Sequence, residues 1–228
     1  MGKSPDHPIT RSPDAIVLPR LYAIIDPVQG AGRSSGEIAG ALVAAGVRLI
    51  QLRDKHASSR DLYAGAQRVA ELVRDAGGIF IVNDRADVAR AIHADGVHLG
   101  QDDMPVGSAR VLLGPGKLIG FSTHVLEQVR EADCSSADYI AFGPIFTTAS
   151  KENPDPVVGL GGLREARKAT RKPLVGIGGI TLENARSVIE AGADSVAVIR
   201  ALLSAPDIRK RAEAFIVRVS GAGSGGSI

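Results

Sequence analysis

Three polar side chains with alternating spacing follow a short apolar run near residue 50. Leu49–Leu52 is apolar apart from Gln51, and Arg53 and Lys55 come directly after it. In an extended chain every second side chain points to the same side, so Gln51, Arg53 and Lys55 share one face. Two cations on one face can bind a phosphate group. A basic loop in contact with water is the alternative for this segment.

Carboxylates follow the next two apolar runs along the chain. Asn83 and Asp84 come after Ile79–Val82, and Asp103 closes the segment Gly100–Asp103. Mg²⁺ typically binds one or two carboxylates together with oxygens of a substrate phosphate. A magnesium site here would complete, with the two cations, a site for a metal-bound pyrophosphate. Helix N-capping by the same aspartates is the alternative.

Hydroxyl and lysine side chains follow two further apolar runs. Ser122 comes after the fifth run, with His124 two residues later, and Thr148, Ser150 and Lys151 lie in a long loop after the sixth. Hydroxyls beside an amine can surround a phosphate group, and long ordered loops are often lids. A plain polar loop is the alternative. His124 is a candidate base, but a structural role fits it better because no carboxylate is placed to complete a hydrolytic triad.

Glycines dominate the segment after the seventh apolar run. Gly176–Thr181 includes Gly179 and leads into a predicted helix, and Ile199 and Arg200 end the eighth run. Glycine lets backbone N–H groups approach an anion, and a helix N-terminus adds a favourable dipole. This segment therefore predicts a second anion site that depends mainly on backbone donors.

Apolar runs that alternate with amphipathic segments predict the elements that position these side chains. The predicted strands are Leu21–Ile25, Leu49–Leu52, Ile79–Val82, Gly96–Leu99, Lys117–Phe121, Tyr139–Phe142, Leu174–Ile177 and Ser195–Ile199. The predicted helices include Glu37–Ala45, Asp61–Asp75, Ala86–Ile92, Leu126–Ala132, Leu163–Ala169, Leu182–Ala191 and Asp207–Val219. Eight such units predict a single-domain α/β protein with the (β/α)₈ TIM-barrel fold, whose functional residues gather at the carboxyl ends of the strands. An open flavodoxin-like sheet is the alternative.

A weak internal repeat favours the closed barrel. Small residues precede every second predicted strand, in Ala44–Val47, Ala94–Val97, Ser136–Tyr139 and Ala191–Asp194. The spacing corresponds to two strand–helix units, and a repeat of that period is more typical of a barrel than of an open sheet.

Composition limits the class of protein. The chain has 228 residues, 44% hydrophobic and 23% charged, which suits one large globular domain. A net charge of +2 is too small an excess for a dedicated nucleic-acid binder. The single cysteine, Cys134, excludes an internal disulfide and a cysteine-rich zinc site. No apolar run is long enough to cross a membrane and no signal peptide is recognisable, so we expect a cytoplasmic protein with neither nucleic-acid nor membrane partners.

The two ends of the chain differ in composition from the rest. Four prolines and scattered charges predict a loose N-terminal extension over residues 1–20, and Gly and Ser predict a flexible tail over residues 221–228. The catalytic barrel domain is then expected over residues 21–220.

Two anion sites at one barrel mouth predict a particular class of enzyme. One site is cationic and metal-assisted, and the other is rich in glycine. The arrangement indicates a transferase that joins two phosphorylated small molecules with pyrophosphate as the leaving group.

On these residues the chain resembles the thiamine phosphate synthase family. The most specific segments are Gly100–Asp103 and the run from Gly143–Phe146 to Lys151. The other matching segments are Gln51–Lys55, Asn83–Asp84, Ala94–Leu99, Ser122–His124 and Gly176–Ile180. They occur in the family's order from about Leu21 to Leu203.

The resemblance implies a reaction and a set of site residues. 4-Amino-2-methyl-5-hydroxymethylpyrimidine pyrophosphate would lose pyrophosphate with the help of Mg²⁺, and 4-methyl-5-(2-phosphoethyl)thiazole would attack the resulting cation to give thiamine phosphate. Asp84 and Asp103 would hold Mg²⁺, and Gln51 would touch the pyrimidine ring. The residues expected around this substrate are Arg53, Lys55, Asn83, Ser122, Thr148, Ser150 and Lys151, of which Arg53, Lys55, Ser122 and Lys151 are expected to be catalytic. The residues expected at the thiazole phosphate are Gly179, Ile199 and Arg200.

Two positions depart from the family's pattern, and two other functions stay open. Ser150 replaces the more usual Thr and keeps the hydroxyl, whereas Arg200 replaces a small residue at the thiazole-phosphate end.

A thiazole tautomerase with His124 as the base is one alternative function, and a non-catalytic sensor of phosphorylated ligands is the other. The sequence leaves open whether the chain forms a homo-oligomer.

Overall fold

The computed structural model describes residues 11–12, 15–148 and 155–221. Within them, eight parallel strands form a closed barrel in which each strand pairs with its neighbours in the chain and the last pairs with the first. The barrel strands are β3 (Leu21–Ile25), β4 (Leu49–Leu52), β5 (Ile79–Asn83), β6 (Gly96–Leu99), β7 (Leu118–Thr123), β8 (Tyr139–Phe142), β9 (Leu174–Ile177) and β10 (Ser195–Val198). The predicted (β/α)₈ barrel is thereby confirmed, and the open sheet is wrong.

Helices surround the barrel. They are α1 (Ser35–Ala44), α2 (Ser59–Asp75), α3 (Ala86–Ala91), α4 (Val106–Leu113), α5 (Leu126–Cys134), α6 (Gly159–Ala169), α7 (Ala185–Glu190), α8 (Arg200–Leu203) and α9 (Ile208–Ser220). A short 3₁₀ helix, Pro27–Gln29, follows β3. None of the helices in the described part of the chain has the length and hydropathy needed to cross a membrane.

Strand alternation divides the core into two layers. On β3, Leu21, Ala23 and Ile25 pack toward the helices, whereas Tyr22 and Ile24 belong to a separate buried cluster inside the barrel. Both faces of each strand are therefore buried, which explains why the strands appear in the sequence as nearly continuous apolar runs.

Glycine on β7 makes room for large side chains inside the barrel. A Cβ at Gly120 would lie 2.1 Å from the ring of Tyr139 and 2.4 Å from Nδ1 of His98. The absence of a side chain at Gly120 thus lets two polar rings from β8 and β6 meet in the barrel interior.

Three of the four segments of the internal repeat share one contact at the amino-terminal end of the barrel. Asp95, Asp138 and Asp194 precede β6, β8 and β10, and each carboxylate accepts a hydrogen bond from a backbone N–H of the preceding strand. The donors are Phe80 at 2.8 Å, Ile119 at 2.7 Å and Leu174 at 2.8 Å.

Several boundaries differ from those predicted. β7 extends through Ser122 and Thr123, and β5 includes Asn83, so these polar residues lie within strands rather than after them. Helix α4 was not predicted, because it exposes two apolar residues, Val111 and Leu112, which obscure its amphipathic pattern.

The N-terminal segment contacts the barrel before the first barrel strand begins. Leu18 is buried in the interior cluster and Ile16 packs against it. Two short strands, β1 (Arg11–Ser12) and β2 (Ala15–Ile16), pair antiparallel. Residues 1–10, 13–14 and 222–228 lie outside the described part, so the predicted extension and tail stay predictions.

Candidate active site

A cavity of about 1040 Å³ lies at the carboxyl ends of the barrel strands. Its volume suits small organic molecules. The predicted site residues that line it are Gln51, Arg53, Lys55, Asn83, Asp84, Asp103, Ser122, Thr148, Gly179, Ile199 and Arg200. The other two, Ser150 and Lys151, lie outside the described residues. The fold thus brings eleven predicted side chains or backbone positions around one space, while their individual roles stay predictions.

The two cations at the end of β4 have different partners. Arg53 Nη1 lies 2.5 Å from Oδ2 of Asp26, a buried carboxylate at the end of β3. Lys55 Nζ lies 3.2 Å from Oδ2 of Asp84 and its side chain is half exposed. Arg53 is therefore fixed by its partner, whereas Lys55 is more accessible to an incoming anion.

Asp84 and Asp103 form a pair of neighbouring carboxylates. Burial, followed by the nearby Asp103 carboxyl, raises the pKa of Asp84, and Lys55 partly opposes the shift. Asp84 also adopts a left-handed backbone conformation, with φ of 61°, which is unusual for a residue other than glycine and is common at functional sites.

The capping alternative for these aspartates is wrong. The N-cap residues of α3 and α4 are Arg85 and Pro105, and neither helix has a side-chain capping hydrogen bond. Asp103 instead accepts a hydrogen bond from the Gly100 backbone N–H at 2.7 Å.

The carboxylate pair fits a magnesium ion that shares its coordination with a substrate. The described residues contain no group of three or more His, Cys, Asp or Glu side chains able to hold a metal by themselves. Mg²⁺ needs only one or two carboxylates when phosphate oxygens and water complete its shell. Two like charges held near each other, one with a raised pKa, would both be stabilised in the charged form by a cation.

Five buried or half-buried side chains form a hydrogen-bonded chain beneath the cavity. Gln51 Nε2 donates to Tyr22 Oη at 2.7 Å, and Tyr22 Oη lies 2.9 Å from Tyr139 Oη. Tyr139 Oη lies 3.1 Å from His98 Nδ1, and His98 Nε2 lies 2.8 Å from Ser122 Oγ. We call this set the tyrosine–histidine chain. It connects the side chain expected at the pyrimidine ring with a side chain expected at the pyrophosphate.

His124 supports the loop that follows β8. Its Nδ1 lies 2.7 Å from the Gly143 carbonyl oxygen and 3.4 Å from Oδ2 of Asp155. The ring therefore contacts both described stretches of the β8–α6 connection, residues 143–148 and 155–158. The expectation that no carboxylate lies beside His124 is therefore wrong, because Asp155 contacts its Nδ1, and the role of His124 stays a prediction.

The glycine-rich loop after β9 comes very close to the loop after β8. Gly178 and Gly179 have φ values of 97° and 63°, and a Cβ at Gly179 would lie 2.5 Å from the Thr147 carbonyl oxygen. Only glycine satisfies both the positive φ and the close backbone approach. Asn184 Nδ2 fixes the loop by donating to the Gly179 carbonyl oxygen at 3.0 Å.

Sequence reasoning missed four polar residues of this region. Tyr22, His98 and Tyr139 lie within strands, and Asp26 follows β3. A usable signal was present, since each of the three strand residues carries a polar group and is followed by an apolar residue that packs toward the helices. No such pattern pairs Asp26 with Arg53, because that contact joins two different strands.

Comparisons with known proteins agree with this geometry. Residues 21–202 match the family described as thiamine monophosphate synthase. The chain is 50% identical over 203 residues to the thiamine-phosphate synthase of Koribacter versatilis, covering 87% of this chain and 95% of the relative. It is 46% identical over 188 residues to that of Moorella thermoacetica, covering 82% and 90%.

Two solved structures with the same fold differ in how similar their sequences are to this chain. The thiamine phosphate pyrophosphorylase of Pyrococcus furiosus superimposes with a TM-score of 0.80 at 36% identity, covering 88% of this chain and 96% of that one. A geranylgeranylglyceryl phosphate synthase from Thermoplasma acidophilum, at 14% identity and a TM-score of 0.65, shares the fold alone. From its sequence, its barrel and the residues at its mouth, this chain belongs to the thiamine monophosphate synthase family.

Proposed function

We propose that this chain joins its two substrates across the barrel mouth, with the pyrophosphate end at Arg53, Lys55 and the two aspartates. The reaction is the one that gives the family its name: a pyrimidinylmethyl pyrophosphate and a thiazole phosphate are condensed to thiamine phosphate, and pyrophosphate is released. The observation that carries the assignment of the pyrophosphate end is the meeting of two cations and two carboxylates at one side of the cavity.

Asp84 and Asp103 are the residues that would hold Mg²⁺. When bound, the ion supplies positive charge to the leaving pyrophosphate. Lys55, which already contacts Asp84 at 3.2 Å, is placed to add a second positive charge beside it.

The other polar residues of the cavity bind and orient the pyrophosphate. Arg53 donates from a guanidinium fixed by Asp26, and the Ser122 hydroxyl donates from the end of β7. Asn83 and Thr148 border the same cavity. Ser150 and Lys151, outside the described residues, are expected to complete this set.

The thiazole phosphate is placed at the opposite side of the mouth. The Gly178–Gly179 backbone and the start of α8, at Ile199 and Arg200, border the cavity there. Arg200 is exposed and would add a positive charge to a site otherwise built from backbone donors.

The chemistry follows from charge and position. The bond between the pyrimidinylmethyl carbon and oxygen breaks with its electron pair passing to the pyrophosphate, whose charge the cationic residues stabilise. The thiazole nitrogen then forms the new bond to that carbon with its lone pair. No base is needed for bond formation, because the thiazole nitrogen becomes positively charged without losing a proton.

The direct test is turnover. Purified protein is incubated with the pyrimidine pyrophosphate, the thiazole phosphate and Mg²⁺, and thiamine phosphate and pyrophosphate are measured with and without EDTA. We expect both products in equal amounts, and none with EDTA. Product formation that persists in EDTA would remove Mg²⁺ from the proposal. Tautomerisation of the thiazole phosphate would favour the tautomerase instead, and binding of the thiazole phosphate without turnover would favour the sensor.

A cytoplasmic location and a homo-oligomer stay predictions.

A further inference from the structure

Four members of the tyrosine–histidine chain, all except Gln51, have one more proton than the hydrogen bonds that join them when His98 is neutral. Tyr22, Tyr139, His98 and Ser122 then contribute one proton each, and three contacts join them. One proton must therefore be donated to a group outside these four residues. Burial raises the pKa of both tyrosines, so their hydroxyls keep their protons throughout the neutral range.

The position of that extra proton determines the direction of every hydrogen bond. If Ser122 donates outward, it accepts from His98 Nε2–H, and His98 Nδ1 accepts from Tyr139. Tyr139 then accepts from Tyr22. We call this the forward direction, and in it Tyr22 has donated its proton inward and can only accept from Gln51.

The opposite direction requires a different orientation of the Gln51 amide. If Ser122 donates inward to His98, each hydrogen bond reverses and the Tyr22 proton is left over. Gln51 is the described residue that contacts Tyr22 Oη on its other side, at 2.7 Å. The reverse direction therefore places Gln51 Oε1 on Tyr22 and Nε2 toward the cavity, since the two ends of a glutamine amide exchange by a simple flip.

The two directions thus present opposite groups to a ligand. In the forward direction Gln51 Nε2 is held by Tyr22, and Oε1, to which no described residue donates, borders the cavity as an acceptor. In the reverse direction the same position offers N–H donors. A phosphate oxygen at Ser122 accepts from its hydroxyl and so selects the forward direction.

We propose that Tyr22, Tyr139 and His98 are positioning residues that couple an anion at Ser122 to an amino group at Gln51. An anion bound at Ser122 turns Gln51 Oε1 toward the pyrimidine, whose amino group is the ring's N–H donor. The inference rests on the proposed placement of the pyrimidine pyrophosphate. It makes recognition of one end of that substrate depend on occupancy of the other, and by linkage the dependence is reciprocal.

The coupling is measured with two separate ligands, by calorimetry in the presence of Mg²⁺. The affinity for (4-amino-2-methylpyrimidin-5-yl)methanol is determined with and without inorganic pyrophosphate. The same is done for (2-methylpyrimidin-5-yl)methanol, which lacks the amino group. We expect pyrophosphate to strengthen binding of the amino compound, relative to the other compound, by about fivefold or more. We call the pyrophosphate-dependent ratio the factor by which pyrophosphate strengthens binding of the amino compound, divided by the factor for the compound without the amino group. Direct repulsion between pyrophosphate and the pyrimidine affects both compounds and therefore cancels in this ratio.

Tyr139→Phe interrupts the chain at its middle while keeping the ring. We expect the pyrophosphate-dependent ratio to fall to about one in this variant, while thiazole-phosphate affinity is unchanged. Tyr63→Phe, which removes the hydroxyl of an exposed tyrosine on α2, is the matched control and should keep the wild-type ratio. A ratio in Tyr139→Phe equal to that of the wild type would overturn the proposal.

The tautomer of His98 provides a test that needs no variant. Nitrogen NMR of the protein with pyrophosphate and Mg²⁺ should show a protonated Nε2 and a bare Nδ1 at His98. A protonated Nδ1 in that complex would contradict the forward direction. If pyrophosphate does not bind to the wild type at all, the proposed function fails as well. If the wild type forms thiamine phosphate but Tyr139→Phe keeps the wild-type pyrophosphate-dependent ratio, the coupling is overturned and the proposed function stands.

Discussion

At the scale of single residues, Arg53 is the more firmly held of the two cations that follow β4. Arg53 is held against Asp26, whose other oxygen accepts from the Val28 backbone N–H at 3.1 Å. The buried aspartate therefore orients the guanidinium and also caps the short 3₁₀ helix after β3. Charged hydrogen bonds of this kind give strong orientation because a misplaced guanidinium would leave a buried carboxylate unpaired.

Asp26→Asn should weaken binding of the pyrimidine pyrophosphate. The amide keeps an acceptor for Val28 but removes the charge that holds Arg53. Loss of a charged hydrogen bond is worth about 1.5–3 kcal/mol, so kcat/KM for that substrate should fall by roughly tenfold or more. Steady-state kinetics with each substrate varied in turn check the result. The KM of the thiazole phosphate should not change, and an equal rise in both KM values would contradict the orienting role.

Asp103→Asn should abolish the response of the protein to Mg²⁺. In the wild type, Mg²⁺ at about ten times its Kd should raise the melting temperature by roughly 4 °C through mass action. The asparagine still accepts from the Gly100 N–H, so the fold should be kept. Thermal unfolding with and without Mg²⁺ gives the measurement. Asp102→Asn, at the neighbouring exposed position, is the matched control, and equal shifts in the two variants would exclude Asp103 as a ligand.

At the scale of elements, three of the eight barrel strands, β6, β8 and β10, are each preceded by an aspartate that binds the neighbouring strand. Asp138 accepts from the buried Ile119 N–H and pairs with Arg110, while Asp194 accepts from Leu174 and pairs with Arg167. The aspartates thus satisfy strand N–H groups at the closed end of the barrel, where backbone donors have few other partners. These contacts lie at the amino-terminal end of the barrel, and the polar residues of the site lie at the opposite end.

Asp138→Ala should destabilise the barrel more than Asp138→Asn. Alanine leaves the buried Ile119 N–H without an acceptor, which costs about 1–3 kcal/mol, whereas asparagine keeps an acceptor oxygen. Chemical denaturation gives the two free energies of unfolding. Equal losses would show that the ion pair with Arg110, and not the strand N–H, is what the aspartate contributes.

At the scale of the whole molecule, one arginine joins the beginning of the barrel to its end. Arg33, in the loop before α1, donates to the carbonyl oxygens of Gly30 and Leu203 at 3.3 and 3.2 Å. It also donates to those of Ala205 and Pro206 at 3.2 and 3.1 Å. These contacts join the first and eighth units beside the β10–β3 pairing that closes the barrel.

Arg33→Met should lower the free energy of unfolding by about 2 kcal/mol, because carbonyl groups in the partly buried α8–α9 turn lose their donor. The melting temperature should fall by roughly 4–8 °C. Arg68→Met is the matched control, since Arg68 makes an exposed ion pair with Glu71 at 3.5 Å and such pairs contribute little. A loss no larger than that of the control would show that barrel closure does not depend on Arg33.

The sequence by itself determined the strands and the residues at their functional ends. Strands such as Leu49–Leu52 are buried on both faces and therefore appear as apolar runs, and the polar residues of the site are those that interrupt or follow these runs. The repeat of small residues before every second strand was also visible in the sequence, since it recurs with each pair of units. All of these signals are local in the chain.

Only the tertiary structure decided which of those residues contact one another. Tyr22 and Tyr139 are 117 positions apart, and Asp26 and Arg53, which follow two different strands, are 27 positions apart. Their contacts depend on how the strands are staggered around the closed barrel and on the space left by Gly120. Neither feature can be read from the local periodicity of the sequence. The same is true of Arg33, whose partners at residues 203–206 lie at the opposite end of the chain and become neighbours only when β10 pairs with β3.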